Sequence, residues 1–170
     1  NQLATTSYTL RKLPISLIGI YSACSTIALG LITAGLSLSQ SSVRRVLVFT
    51  SSHNQSAERQ FRNPVEYGGA KEDTQTFTAT IGAACFLSHE KSPIRLSSVT
   101  VGKVVDVGFT DSMDYGRAMM PAALETLLEH FKTTATTPAD YDLVLTGDLS
   151  RFGSKLVQQE LEKEFGPVCN

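Results

Sequence analysis

The chain has 170 residues, of which 42% are hydrophobic and 18% charged, the size and composition of one globular domain. A net charge of −1 gives no excess positive charge for binding nucleic acid or an anionic membrane surface. The three cysteines, Cys24, Cys85 and Cys169, are too few and too scattered for a disulfide framework or a zinc site, so we expect a reducing compartment. The chain starts at Asn1 and carries no signal-peptide pattern, and we expect it to be a piece of a longer protein.

The first 40 residues predict two helices with a strand between them. Residues 3–12 have a helical pattern, which Pro14 ends. Residues 15–38 are uncharged and long enough to span a membrane, but serines, threonines and glycines interrupt the apolar run. Within this stretch, residues 15–21 are mostly bulky, whereas residues 25–40 are rich in small side chains. We therefore predict a buried strand over 15–21 and a tightly packed helix over 25–40.

The remaining sequence alternates strand patterns with helix patterns. Strands are predicted over residues 45–51, 76–88, 94–108 and 142–146, with a polar loop over 53–75 and a capped turn at Thr137–Pro138. Within 113–134 we predict an amphipathic helix that begins near Pro121 or somewhat earlier, and a last helix is predicted over 154–165. Alternation of this kind is typical of an α/β fold with a mainly parallel sheet. No internal repeat is visible.

Candidate functional residues follow the predicted strands, because ligands of parallel sheets bind at the carboxyl ends of the strands. Cys24 stands between the first strand and its helix, where the helix dipole favours a thiolate. The other candidates, at the same predicted edge, are His53, Asn54, Arg59, Arg62 and Asp148.

Each candidate also has a purely structural explanation. Cys24 fits a small packing residue, His53 and Asn54 fit residues that cap the loop, and the arginines fit solvated side chains or partners of Glu58 and Glu66. Outside this set, Cys85 is predicted in the core, His89 in a turn and His130 at the exposed end of a helix.

Four segments carry a resemblance to a known family: GIYSACSTIALGL, VFTSSHNQSAERQFRNPVEYGGAKEDTQT, SSVTVGKVVDVGFTDSMDYGRAMMPAALETLLEHF and DYDLVLTGDLSRFGS. Together they resemble the stage V sporulation protein AD family of spore-forming Firmicutes. The resemblance implies a thiolase-like α/β fold, αβαβα layered with mainly parallel sheets, made of two similar halves. The chain would hold a partial fold, with residues 1–92 forming most of the N-terminal half and 93–170 the start of the C-terminal half.

The resemblance also implies a function. The family binds dipicolinic acid, alone or as the calcium chelate, and supports its uptake into the developing spore. It implies a homodimer, peripheral to the spore inner membrane, that works with other stage V sporulation A proteins, without a cofactor, a resident metal or nucleic acid. Cys24, His53, Asn54, Arg59, Arg62 and Asp148 would contribute to the ligand site.

The same superfamily offers an enzymatic alternative. Its condensing enzymes use a cysteine where Cys24 stands, together with a histidine after the strand that corresponds to residues 142–146. This chain has Gly147–Asp148 there, and an ionised aspartate donates no hydrogen bond to an oxyanion. We therefore expect a non-catalytic binding protein; the alternative is a thioester-dependent acyltransferase with Cys24 as nucleophile and His53 as base.

Overall fold

The computed structural model of the chain describes the backbone of residues 3–61 and 72–168, and the side chains of residues 6–57 and 72–168. The chain divides into two compact units. The first consists of Asn1–Tyr67 and Thr78–Val99, and the second of Gly68–Phe77 and Thr100–Asn170. The expected division into thiolase-like halves at residues 92 and 93 stays a prediction.

The described residues form a mixed structure of α-helices and one small two-stranded sheet. The helices are α1 (Leu3–Leu10), α2 (Thr26–Leu38), α3 (Asn54–Phe61), α4 (Tyr115–Thr134) and α5 (Ser150–Phe165), and the strands are β1 (Arg45–Ser52) and β2 (Ile81–Ser88). Short 3-10 turns occupy Ala23–Ser25 and Pro138–Asp140. None of the helices in the described ranges combines the length and the apolar character needed to cross a membrane.

Most predicted helices are confirmed, one begins earlier than predicted, and one further helix was not predicted. α1, α2 and α4 lie where periodicity predicted them, whereas α5 begins at Ser150 rather than at residue 154. The stretch 53–75 was predicted as a loop, but it begins with α3. The helical signal there was missed because polar residues dominate the segment.

The sheet in the described residues has two strands, β1 and β2, which pair antiparallel from Arg45 opposite Ser88 to Ser52 opposite Ile81. The expectation of a mainly parallel sheet does not hold for this pair. The connection after Ser52 returns the chain to the same end of the sheet, so β2 runs back along β1. A parallel neighbour would instead need a crossover to the opposite end.

Helix α2 packs on β1 through a close approach at Gly30. A Cβ atom on Gly30 would lie 2.5 Å from Cγ1 of Val48, so glycine is required for the helix to lie this near the strand. Ala34, Leu38 and Val48 are buried around this contact. Together they form the apolar centre of the first unit.

Three predicted strands are not formed in the described residues: those over 15–21, 94–108 and 142–146. These segments keep their apolar residues, but a strand also needs a hydrogen-bonded neighbour. Several of their side chains are largely exposed, including Ile94 at 85%, Val104 at 98% and Leu145 at 81%. The prediction that Cys85 is a core residue is also wrong, because its position on β2 is exposed.

The second unit is built on the packing of α4 against α5. Its buried centre consists of Phe131, Leu149, Val157 and Leu161. The helices meet backbone to backbone near their N-terminal ends, where a Cβ on Gly153 would lie 2.9 Å from the carbonyl oxygen of Gly116. A Cβ on Gly116 would in turn collide with the carbonyl oxygen of Leu149. The two glycines therefore set the distance between the helices.

Candidate functional site

Cys24 is exposed in a tight turn at the start of α2. The residue before it, Ala23, has a φ of 43°, in the left-handed region that non-glycine residues avoid at a cost of about 1–2 kcal/mol. Strain of this kind persists only where the surrounding structure enforces it. The turn therefore holds the thiol at a defined position beside the helix N-terminus.

Hydroxyl groups around Cys24 hold this turn in place. The Ser22 and Ser25 hydroxyls lie 2.7 Å apart, and the Ser25 hydroxyl also donates to the Ser22 carbonyl at 2.8 Å. The Thr26 hydroxyl donates to the Ala23 carbonyl at 2.7 Å and accepts from the Ser22 N–H at 3.1 Å. The spacing of the hydroxyl residues in YSACST is the sequence signal for this turn.

His53 connects β1 to α3, whose first residue is Asn54, and the structure holds the two side chains differently. The Asn54 amide donates to the Thr78 carbonyl at 2.7 Å, and its backbone N–H donates to the Thr80 hydroxyl at 2.9 Å. Asn54 thus joins the start of α3 to the segment that leads into β2. The exposed His53 side chain makes no hydrogen bond or ion pair with another described residue, which leaves its ring available to a ligand.

The two candidate arginines lie at the edge of what the structure describes. The backbone of Arg59 belongs to α3, which follows His53 directly, and its side chain is outside the described set. Arg62 lies outside the described residues altogether. Their pairing with Glu58 and Glu66, and their contact with a ligand, stay predictions.

Asp148 is held by backbone amides within the second unit. One carboxylate oxygen, Oδ2, accepts from the Phe77 N–H at 2.5 Å, and the other, Oδ1, accepts from the Ser150 N–H at 2.9 Å. Ser150 in turn accepts from the Gly153 N–H through its own hydroxyl at 3.3 Å, an interaction typical of a helix N-cap. The carboxylate therefore joins residues 72–77 to the start of α5.

The candidates are divided between the two units. Cys24, His53, Asn54 and Arg59 belong to the first, and Asp148 belongs to the second. Within the described ranges no hydrogen bond connects Cys24 with His53. The same ranges contain no group of three or more His, Cys, Asp or Glu side chains placed to hold a metal ion.

Comparison with known proteins covers the chain almost from end to end. The family model described as Stage V sporulation protein AD matches residues 1–167. Stage V sporulation protein AD of Bacillus subtilis (strain 168) is 46% identical over 168 residues, which covers 99% of this chain and 50% of the relative. The chain thus spans half the length of that curated relative. Because both the family model and this relative match nearly every residue, the chain belongs to the stage V sporulation protein AD family.

Proposed function

We propose that this chain is part of a non-catalytic sporulation protein that binds dipicolinic acid, alone or as the calcium chelate, and supports its uptake into the developing spore. Membership of a sporulation protein family and the segments quoted above support the proposal. Dipicolinic acid is a flat ring that carries two carboxylates. A site for it needs hydrogen-bond donors at both ends and an apolar slot between them.

The residues near Cys24 and after β1 have this chemistry. Arginine binds carboxylates through two parallel hydrogen bonds, which suits Arg59 and Arg62 to the anionic ends. The ring of His53, which has no partner among the described residues, adds a further polar group. Cys24, small and exposed at the start of α2, suits the wall of the slot, and the N–H groups of that helix start favour an anion.

The observation that carries the binding function is the environment of Asp148. Related condensing enzymes have a histidine in this part of the chain, and here an aspartate uses both oxygens to accept from Phe77 and Ser150. A carboxylate held in this way supplies neither an N–H donor for an oxyanion nor a free base for a thiol. This supports binding rather than acyl transfer, and gives Asp148 a positioning role.

Calorimetry with dipicolinic acid, with and without calcium, tests the proposal on this chain and on a full-length family member. With about a dozen heavy atoms at roughly 0.5 kcal/mol each, we expect a dissociation constant in the tens of micromolar. Cys24→Ala, Arg59→Ala and Arg62→Ala should weaken binding, whereas Arg95→Ala, which removes an equal charge from an exposed position, should not. Binding unchanged in all three site variants would refute the assigned site.

One observation favours acyl transfer as a second candidate function. Cys24 follows a residue with positive φ and stands exposed at a helix start, an arrangement that suits a nucleophile. The thiolate would attack the carbonyl carbon of an acyl-coenzyme A, form a new thioester and release coenzyme A. His53 would take the thiol proton.

For the protein that contains this chain, we further propose a thiolase-like αβαβα fold, a homodimer, and a location peripheral to the spore inner membrane beside other stage V sporulation A proteins. The resemblance over the quoted segments supports these points. A crystal structure of a full-length family member would test the fold and the dimer. Fractionation of spores would test the location.

A further inference from the structure

A solvent-open cavity of about 510 Å³, lined by exposed residues, lies at the end of the sheet where β1 begins and β2 ends. It is lined by Arg44, Arg45, His89 and Glu90. His53 follows the other end of β1, about 23 Å away along an eight-residue strand at ~3.3 Å per residue. The cavity is therefore separate from the residues proposed for dipicolinic acid.

The lining residues provide hydrogen-bond donors that are not fully used. Arg45 Nη2 donates to Glu90 Oε1 at 2.8 Å, an exposed ion pair that leaves other guanidinium N–H groups available. Arg44, directly before β1, makes no hydrogen bond or ion pair with another described side chain. With His89 neutral, two arginines and one glutamate give the lining a charge of +1, whereas the whole chain has −1.

The same lining also provides acceptors. His89 Nε2 lies 2.9 Å from the carbonyl oxygen of Leu38, and because a carbonyl only accepts, Nε2 must carry the hydrogen. In the neutral ring, Nδ1 is then an acceptor, and it has no partner among the described residues. Glu90 keeps a second carboxylate oxygen outside its bond to Arg45.

We infer that this cavity binds a phosphate group that still carries a proton, either inorganic phosphate or a phosphate monoester. The arginines match the ionised oxygens, since guanidinium groups bind phosphate through paired hydrogen bonds. His89 Nδ1 and the free oxygen of Glu90 match the P–OH group. A fully ionised anion such as sulfate has no hydrogen to donate to these acceptors. The lining residues therefore favour protonated phosphate over sulfate.

Titration of the 15N-labelled chain with inorganic phosphate at constant ionic strength tests the inference, with Val104→Lys and Leu145→Lys introduced to limit self-association through exposed apolar residues. We expect saturable amide shifts at residues 44–45 and 89–90, with a dissociation constant of about 1 mM, and binding of sulfate at least about tenfold weaker. Binding of glycerol phosphate should weaken as the pH rises through its second pKa of about 6, because the monoester then loses its P–OH, whereas inorganic phosphate keeps one. Vesicles of phosphatidylglycerol, whose phosphodiester has no P–OH, should not bind.

Two variants and one control separate the site from general charge effects. Arg44→Gln should weaken phosphate binding about tenfold or more, whereas Arg95→Gln, an equal loss of charge at an exposed position outside the lining, should leave it unchanged. Glu90→Gln removes an acceptor and a negative charge, so it should strengthen sulfate binding and reduce the preference for phosphate.

Equal affinity for sulfate and phosphate, undiminished binding by Arg44→Gln, or tight binding to the vesicles would each overturn the inference. Dipicolinic acid binding should be unaffected by Arg44→Gln. If that variant lost dipicolinic acid binding as well, this cavity would be part of the dipicolinic acid site, and the separate phosphate site would be wrong. The failure of one proposal is thus distinguishable from the failure of the other.

Discussion

The Asp148 carboxylate accepts a hydrogen bond from the Phe77 backbone N–H at 2.5 Å, and the two residues are separated by 71 positions of sequence. The same carboxylate accepts from the Ser150 N–H at the start of α5. One side chain therefore joins an extended segment to a helix. These hydrogen bonds identify Asp148 as an anchor for the backbone, and its contact with a ligand stays a prediction.

Removing this anchor should destabilise the second unit. We expect Asp148→Ala to lower the free energy of unfolding by about 1–2 kcal/mol, because two backbone donors lose a charged acceptor at an exposed site. Urea denaturation in dilute solution measures the change. Asp142→Ala is the control, because Asp142 is exposed and makes no side-chain bond to another described residue. Equal stability of the two variants would show that the anchor contributes nothing.

The crossing of α4 and α5 predicts a strong response at Gly153. An added methyl group would lie 2.9 Å from the Gly116 carbonyl oxygen, and neither backbone can yield easily. We expect Gly153→Ala to cost about 1–3 kcal/mol, the range for overpacking. Gly147→Ala, where nothing lies within 4 Å of the added atom, should change stability by less than about 0.5 kcal/mol. Similar melting temperatures for the two variants would contradict this packing.

The end of α4 predicts a stabilising substitution. Ala135 terminates the helix at φ 53° and ψ 41°, and the following Thr136 N–H donates to the Phe131 carbonyl at 2.9 Å. Glycine adopts this conformation without the strain of a Cβ. Ala135→Gly should therefore stabilise the chain by up to about 1 kcal/mol, whereas Ala118→Gly, at an exposed position in the first turn of the same helix, should cost up to about 1 kcal/mol. A higher melting temperature for Ala135→Gly and a lower one for Ala118→Gly would confirm this helix end. Lower melting temperatures for both variants would contradict it.

Exposed apolar residues predict that the chain associates with itself. Ile94, Val104 and Leu145 are 85%, 98% and 81% exposed, in segments that have strand patterns but no strand partner among the described residues. Apolar segments of this kind pair with other chains. Sedimentation velocity should show oligomers or aggregates, and Val104→Lys with Leu145→Lys should reduce them. If the unmodified chain is a monodisperse monomer at high micromolar concentration, the prediction of self-association is wrong.

Reaction with acyl-coenzyme A separates the two candidate functions at Cys24. If the protein is a binding protein, mass spectrometry after incubation should show no stoichiometric acyl adduct, because the exposed thiol forms no hydrogen bond with His53 in the described structure. Iodoacetamide should nevertheless label Cys24, and Cys24→Ala should remove that label. A full acyl adduct that is lost in His53→Ala would instead establish the acyltransferase.

The sequence by itself determined the elements whose signals are local. α2, α4 and β1 lie where apolar patterns predicted them, because periodicity and β-branched content act within a few residues of each position. The four quoted segments likewise predicted the family from the order of residues alone, and the family model and the Bacillus subtilis relative confirm that prediction. Cys24 at the start of a helix follows from the same local information.

Tertiary structure alone decided which elements meet. The strand patterns at 94–108 and 142–146 remain unpaired in the described residues, since a strand exists only with a neighbour whose identity the pattern does not encode. The antiparallel pairing of β1 with β2 depends on which end of the sheet the chain returns to. The backbone hydrogen bond of Asp148 depends on the fold for the same reason: its partner Phe77 is distant in sequence, and only the fold brings that N–H to the carboxylate.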